Sequence, residues 1–135
     1  MKVLIDTNVI LDFVLNRKPF ADEASEIFQH IEQRTFSAVI SASAVTDIFY
    51  LLNREKVDAV AFLKDFLSGV DVLSVDKEII MYALYSGWTD FEDAVQAQVA
   101  IENNIDIVIT RNTKDYSQLE RIQVLTPKEL LKKIQ

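Results

Sequence analysis

No cysteine occurs in the 135-residue chain. Disulfide scaffolds, thiolate nucleophiles and zinc–thiolate centres are thereby excluded, and a reducing compartment, the cytoplasm, is expected. Glycine and proline are nearly as scarce, at two each. That scarcity argues against a turn-rich sandwich or barrel and against flexible linkers. Two glycines also cannot build a dinucleotide fingerprint or a P-loop. The single histidine, His30, lies mid-way along a helical pattern and reads as an exposed or edge-packed residue. No run approaches the roughly 18 apolar residues of a membrane span. The N-terminus carries one Lys and then an acid at position 6, so no export signal is expected. Basic excess is missing too: the formal net charge is −7. Broad attachment to nucleic acid through a basic surface is disfavoured. An acidic, metal-filled site inside a locally basic rim remains compatible with that charge.

Hydrophobic residues make up 50% of the chain, enough for a full-sized core, and the length fits one domain spanning 1–135. KVLID (2–6) reads as a short, fully buried strand, followed by a helix over 8–17 with Asn8 as its N-cap. Lys18-Pro19 breaks that helix. Phe20, Ala24, Ile27, Phe28 and Ile31 recur at helical spacing over 20–33. A second strand covers 36–42. Ser43 then caps a helix to about Asn53, and another helix runs over 57–67. Phe49, Leu52, Phe62, Phe66 and Leu67 read as core or as a dimer face. A third strand (70–75) is followed by a helix capped by Asp76, the SGWTD turn (86–90), and a helix over 91–103. IDIVIT (105–110) is the clearest strand. A polar loop (111–121), a last strand (122–126) and a helix opened by Pro127 complete the chain. Strands apolar on both faces alternate with helices, so the expected class is α/β. The expected architecture is a three-layer α/β/α fold with a mostly parallel, five-stranded sheet.

Open parallel sheets bind ligands beyond the carboxyl ends of their strands, where strand order reverses. Asp6 ends the first strand there. Thr110 ends the fourth, with Asn112 and Asp115 just beyond. Asp47 lies early in the helix after the second strand, and Asp93 in the first turn of the helix before the fourth. Both helices should start on that side of the sheet, which aims the acids at one crevice. Two unit charges about 4 Å apart repel by on the order of 4 kcal/mol at an effective dielectric near 20. Either some of these acids are protonated or a divalent cation sits among them. An oxygen-only donor set suits Mg²⁺ or Mn²⁺ with several retained waters.

At DTNVILD, Asp47, DFEDAVQA and VITRNTKDY, the sequence resembles the PIN-domain family. These are metal-dependent ribonucleases, many of them toxins of bacterial VapBC-type toxin–antitoxin pairs. The likeness covers nearly the whole chain. It implies that Asp6, Asp47 and Asp93 hold Mg²⁺ or Mn²⁺ as the catalytic centre, with Asp47 standing where the family usually has Glu. Many members read T-R-D, where this chain has Asn112. A subgroup reads T-R-N-x-x-D-F, and this chain fits it with Asp115 as the fourth carboxylate. Thr7, Asn8, Thr110 and Asn112 match supporting polar positions. The resemblance further implies an RNA substrate, hydrolysis of phosphodiester bonds by a metal-activated water, a homodimer, and a small antitoxin partner whose tail enters the acidic groove.

Each residue also has a plainer reading. Asp6 would serve as an N-cap, and Asp47 and Asp93 as early-turn acids that complement a helix dipole. Asp90 reads as a cap with Asp93 at the third helical position. Glu92 reads as solvated, and Asp12 as a solvated face with an outer acid at the edge of the site as the alternative. Arg111 and Lys114 would either hold substrate phosphates or form a neutralising surface pair. Trp88 and Tyr116 read as covers of a core edge rather than as base-stacking platforms. A receiver-type domain would need an acid pair after the first strand, and a haloacid-dehalogenase-type phosphatase needs D-x-D where position 8 is Asn. The alternative to a nuclease is a weak or inactive module that binds RNA or protein.

Overall fold

A computed structural model describes all 135 residues, Met1–Gln135. Five parallel strands form one sheet: β1 (Lys2–Ile5), β2 (Ser37–Ser41), β3 (Asp71–Leu73), β4 (Ile107–Ile109) and β5 (Gln123–Leu125). Their order is β3-β2-β1-β4-β5. The chain winds outward from β1 to β3 and then returns to the other side of β1. The reversal therefore lies between β1 and β4, whose register pairs Leu4 with Val108 and Ile5 with Ile109.

Seven helices surround the sheet: α1 (Thr7–Val14), α2 (Ala21–Glu32), α3 (Ala42–Arg54), α4 (Ala59–Phe66), α5 (Lys77–Tyr85), α6 (Phe91–Glu102) and α7 (Pro127–Ile134). The period-two alternation of β1 divides the core between the two faces. Val3 and Ile5 join the larger cluster with Ile27, Ile48, Leu63 and Leu130 from α2, α3, α4 and α7. Leu4 points the other way, to Val39, Val108, Ala97 and Ala100. Alanines at 94, 97 and 100 are all buried, which lets α6 lie close to the sheet. Of the residues read as core or dimer face, Leu52 and Phe66 are in the core, Phe62 and Leu67 pack against it, and Phe49 is 39% exposed.

Several local expectations are corrected. Asp6, not Asn8, caps α1: its carboxylate accepts from the Thr7 N–H, so the acid that ends the strand also starts the helix. Ser41, not Ser43, caps α3 by accepting from the Ala44 N–H. The 111–121 segment is not wholly loop. Thr113–Tyr116 forms a 3₁₀ turn whose Tyr116 is only 1% exposed. Glycine scarcity has a local counterpart, since Asn16, Arg34, Lys56 and Asn104 adopt positive φ just past α1, α2, α3 and α6. Glycine would take that conformation without the Cβ strain that these residues bear.

Candidate functional site

Asp6 sits at the reversal point, and its backbone N–H donates to the Ile109 carbonyl at 2.9 Å. Four donors hold its carboxylate. Oδ1 accepts from the Thr7 N–H at 2.8 Å and from Gln96 Nε2 at 3.1 Å. Oδ2 accepts from Thr110 Oγ1 at 2.7 Å and from Asn8 Nδ2 at 3.4 Å. Asn8 also reaches Thr110 Oγ1 and accepts from the Arg111 N–H, so it ties the start of α1 to the end of β4. The Asn112 N–H donates to Thr110 Oγ1. Thr7, Asn8, Thr110 and Asn112 are thus gathered around Asp6, Asn112 through its backbone.

A cavity of about 40 Å³ is lined by Asp6, Thr7, Ser43, Ala44, Asp47, Glu92, Asp93 and Gln96. Asp6, Asp47 and Asp93, far apart in sequence, therefore share one cleft. Asp115 lines the adjoining cavity of about 230 Å³ with Trp88, Thr89, Asp90 and Lys114, and Asp93 faces both. A larger cavity, lined by Phe13, Phe28, Phe62 and Phe66, lies elsewhere in the fold and contains none of these acids.

The electrostatics follow from that crowding. Burial pushes the Asp6 carboxyl above its ordinary value, against the opposing pull of hydrogen bonds from Thr110, Thr7 and Gln96. Burial also raises Asp47. Glu92 is raised by burial first, then by the charges of Asp47, Asp90 and Asp6. Asp93 is raised to about 7, again by burial first, then by Asp90, Asp6 and Asp115. Tyr116 donates to Asp93 Oδ1 at 3.4 Å. Burial and the neighbouring Asp6 and Asp93 push its hydroxyl up, so it stays a donor at neutral pH. Its ring meets Trp88 edge-on, which agrees with the core-edge reading of both aromatics.

One reading changes and an open one is decided. Asp12 is 2% exposed rather than solvated. It is gripped by two nitrogens of Arg111 at 3.0 and 3.1 Å, with Arg17 at 3.8 Å. Arg111 also lies 4.2 Å from the Phe20 ring centre. It is therefore pinned to the scaffold, which favours the neutralising pair over a free phosphate clamp. Glu92 is exposed, yet it lines the acidic cleft. Charge pattern alone does not mark Gln96, although DAVQA places it three residues after Asp93, on the same helical face. Asp90 does cap α6, accepting from the Asp93 N–H at 2.9 Å.

The donor set suits a hard cation that keeps part of its hydration. No three acidic or histidine side chains converge tightly enough to enclose an ion unaided. Mg²⁺ commonly binds through one or two carboxylates and several waters, which matches so loose a set. The buried amide oxygen of Gln96 has no hydrogen-bond partner. An unsatisfied acceptor beside crowded carboxylates fits a group bringing positive charge and O–H donors.

Known proteins provide the comparison. Ribonuclease VapC1 of Aquifex aeolicus (strain VF5) is 23% identical over 134 residues, covering 95% of this chain and 92% of that relative. VapBC-1 from nontypeable Haemophilus influenzae superposes with a TM-score of 0.71 at 18% identity, covering 95% of this chain and 99% of the other. A toxin–antitoxin complex from Klebsiella pneumoniae gives 0.69 at 23% identity, covering 93% and 97%. Mycobacterium tuberculosis VapC20, a sarcin–ricin loop cleaving toxin, gives 0.69 at 16% identity, covering 90% and 98%. These structures share the fold described above. The PIN domain family model matches residues 2–114, and the chain belongs to that family.

Proposed function

We propose that this chain is an endoribonuclease dependent on Mg²⁺ or Mn²⁺, and the toxin of a type II toxin–antitoxin pair. The observation that carries the reading is the shared cleft of Asp6, Asp47, Glu92 and Asp93 at the reversal of strand order. Asp6, Asp47 and Asp93 would hold the cation, one or two of them directly and the rest through its retained waters, with Asp115 contributing from the adjoining cavity. When bound there, a divalent cation lowers the pKa of a coordinated water and stabilises charge developing on a phosphate. The chain's own residues prepare that site. Thr7, Asn8, Thr110 and Gln96 fix the Asp6 carboxylate so that little reorganisation remains on binding. Tyr116 holds Asp93 in place by hydrogen bonding. Lys114 lines the adjoining cavity and is available to a phosphate of the RNA. Arg111, committed to Asp12, instead fixes the backbone at the end of β4.

The partner belongs to the same reading. Two of the structures above are toxin–antitoxin assemblies, which supports a small antitoxin protein as partner. Self-association into a homodimer is supported by the exposed apolar residues of α5, where Tyr82, Leu84 and Tyr85 are 54%, 60% and 83% exposed. No helix is long and apolar enough to cross a membrane. A single domain over 1–135 fits the one continuous five-stranded sheet, and a cytoplasmic location fits a chain without cysteine.

The test is cleavage of single-stranded and stem-loop RNA by the purified chain, with Mg²⁺ or Mn²⁺ or with chelator. Cleavage should need the cation and vanish in Asp6→Asn and Asp93→Asn. Binding of RNA without cleavage in any divalent cation would favour the inactive binding module instead.

A further inference from the structure

Gln96 stands out because its two polar ends have different fates. It is 5% exposed, in the middle of α6. Nε2 donates to Asp6 Oδ1 at 3.1 Å. Oε1 is buried without any hydrogen-bond partner, and no other buried side-chain oxygen or nitrogen of the chain shares that condition. Reversing the amide would set its oxygen against the Asp6 oxygen, acceptor against acceptor, so the orientation is chemically determined. The residue lines the acidic cleft together with Asp6, Asp47, Glu92 and Asp93. Ionised carboxylates accept hydrogen bonds and donate none. Once a cation holds the surrounding acids ionised they offer Oε1 no donor, and the donor has to enter the cleft with the cation.

We propose that Gln96 is a working part of the cation site: its amide nitrogen positions Asp6, and its amide oxygen accepts a hydrogen bond from water carried by the divalent ion. A cation bound by few carboxylates keeps several waters, and each presents O–H donors to its surroundings. Outer partners of this kind orient the inner donors and add affinity without touching the ion. The inference rests on the cation reading above, and it assigns to a neutral residue what charge-based reasoning gives only to acids.

The experiment measures Mn²⁺ binding calorimetrically, without RNA, for the wild type, Gln96→Met and Gln96→Glu, alongside thermal melts in chelator. Met keeps the length of the side chain and removes both polar ends. Mn²⁺ affinity of Gln96→Met should fall about tenfold, the usual scale for loss of an outer partner. Its melting temperature in chelator should stay close to wild type, because a lost bond to Asp6 is offset by removal of the orphan acceptor. Gln96→Glu places an oxygen in the same position and sets a second charge against Asp6. It should melt below Gln96→Met in chelator, yet bind Mn²⁺ more tightly than Gln96→Met does. Gln96→Glu draws the cation by charge as well as through water, so Mn²⁺ binding no tighter than that of Gln96→Met overturns the role assigned to Oε1. Wild-type affinity in Gln96→Met overturns the inference and leaves the cation reading standing. Absence of Mn²⁺ binding by the wild type overturns both.

Discussion

Replacing Asp93 by Asn should stabilise the metal-free protein while abolishing its response to cations. Burial and the charges of Asp90, Asp6 and Asp115 raise the Asp93 carboxyl to about 7 from an ordinary 3.8. Well below its ordinary value of 3.8 the group is protonated in folded and unfolded chains alike, and it costs nothing. As pH rises towards about 7, the unfolded chain releases the proton first, so the folded state is progressively penalised. Above that the penalty is complete. The full rise corresponds to about 4 kcal/mol. Asp93 is only partly buried, and solvent screening reduces this to roughly 1–2 kcal/mol. Asn at 93 carries no charge and can still meet Tyr116. In chelator at about pH 8, Asp93→Asn should therefore melt roughly 3–8 °C above wild type for a chain of this length. At about pH 3, below the ordinary value of 3.8, the gap should shrink to a small fraction of that. Thermal unfolding followed by circular dichroism reads both values. Adding Mn²⁺ at pH 8 should reverse the order, because a cation that binds only the folded site stabilises the wild type alone. A variant no more stable than wild type at pH 8, or equally shifted at both pH values, would refute the electrostatic account of the cleft.

Arg111→Ala should destabilise the fold by about 2–3 kcal/mol, read by urea unfolding. Breaking a buried pair typically costs ~3–5 kcal/mol, and Arg17 at 3.8 Å retains part of the compensation for Asp12. Asp12→Ala should cost less, because the Arg111 side chain is 28% exposed and can turn to water. Leu4→Ala removes a fully buried side chain from the centre of the sheet and should cost about 2–5 kcal/mol in the same assay. Mn²⁺ affinity, measured without RNA, should rise with pH up to about 7, because the cation competes with a proton for Asp93. An affinity that is flat between about pH 5.5 and 8 would count against Asp93 as a ligand. Glu substitutions at Leu84 and Tyr85 should lower the sedimentation coefficient to that of a monomer while the circular dichroism spectrum keeps its folded shape.

The order of elements was readable from the chain because hydrophobic periodicity and helix caps are local properties. Val3, Leu4 and Ile5 mark a strand buried on both faces, Asp76 and Asp90 cap their helices, and Pro127 opens the last one. Strand-then-helix alternation also implies a parallel sheet, and that topology places Asp6, Asp47 and Asp93 on one side. Other assignments depended on what arrives from elsewhere in the fold. Whether Asp12 meets water or a guanidinium is decided by Arg111, which lies 99 residues away. Asp6 caps α1 because β1 ends one residue before the helix begins, a boundary set by pairing with Ile109. Gln96 looks like an ordinary polar helix residue until α6 packs on the sheet and brings its amide nitrogen to Asp6. Amino-acid order specifies which side chains carry charge and which face of each element is apolar. Burial and proximity arise only from packing, and these set the value of about 7 at Asp93 and leave the Gln96 oxygen without a partner.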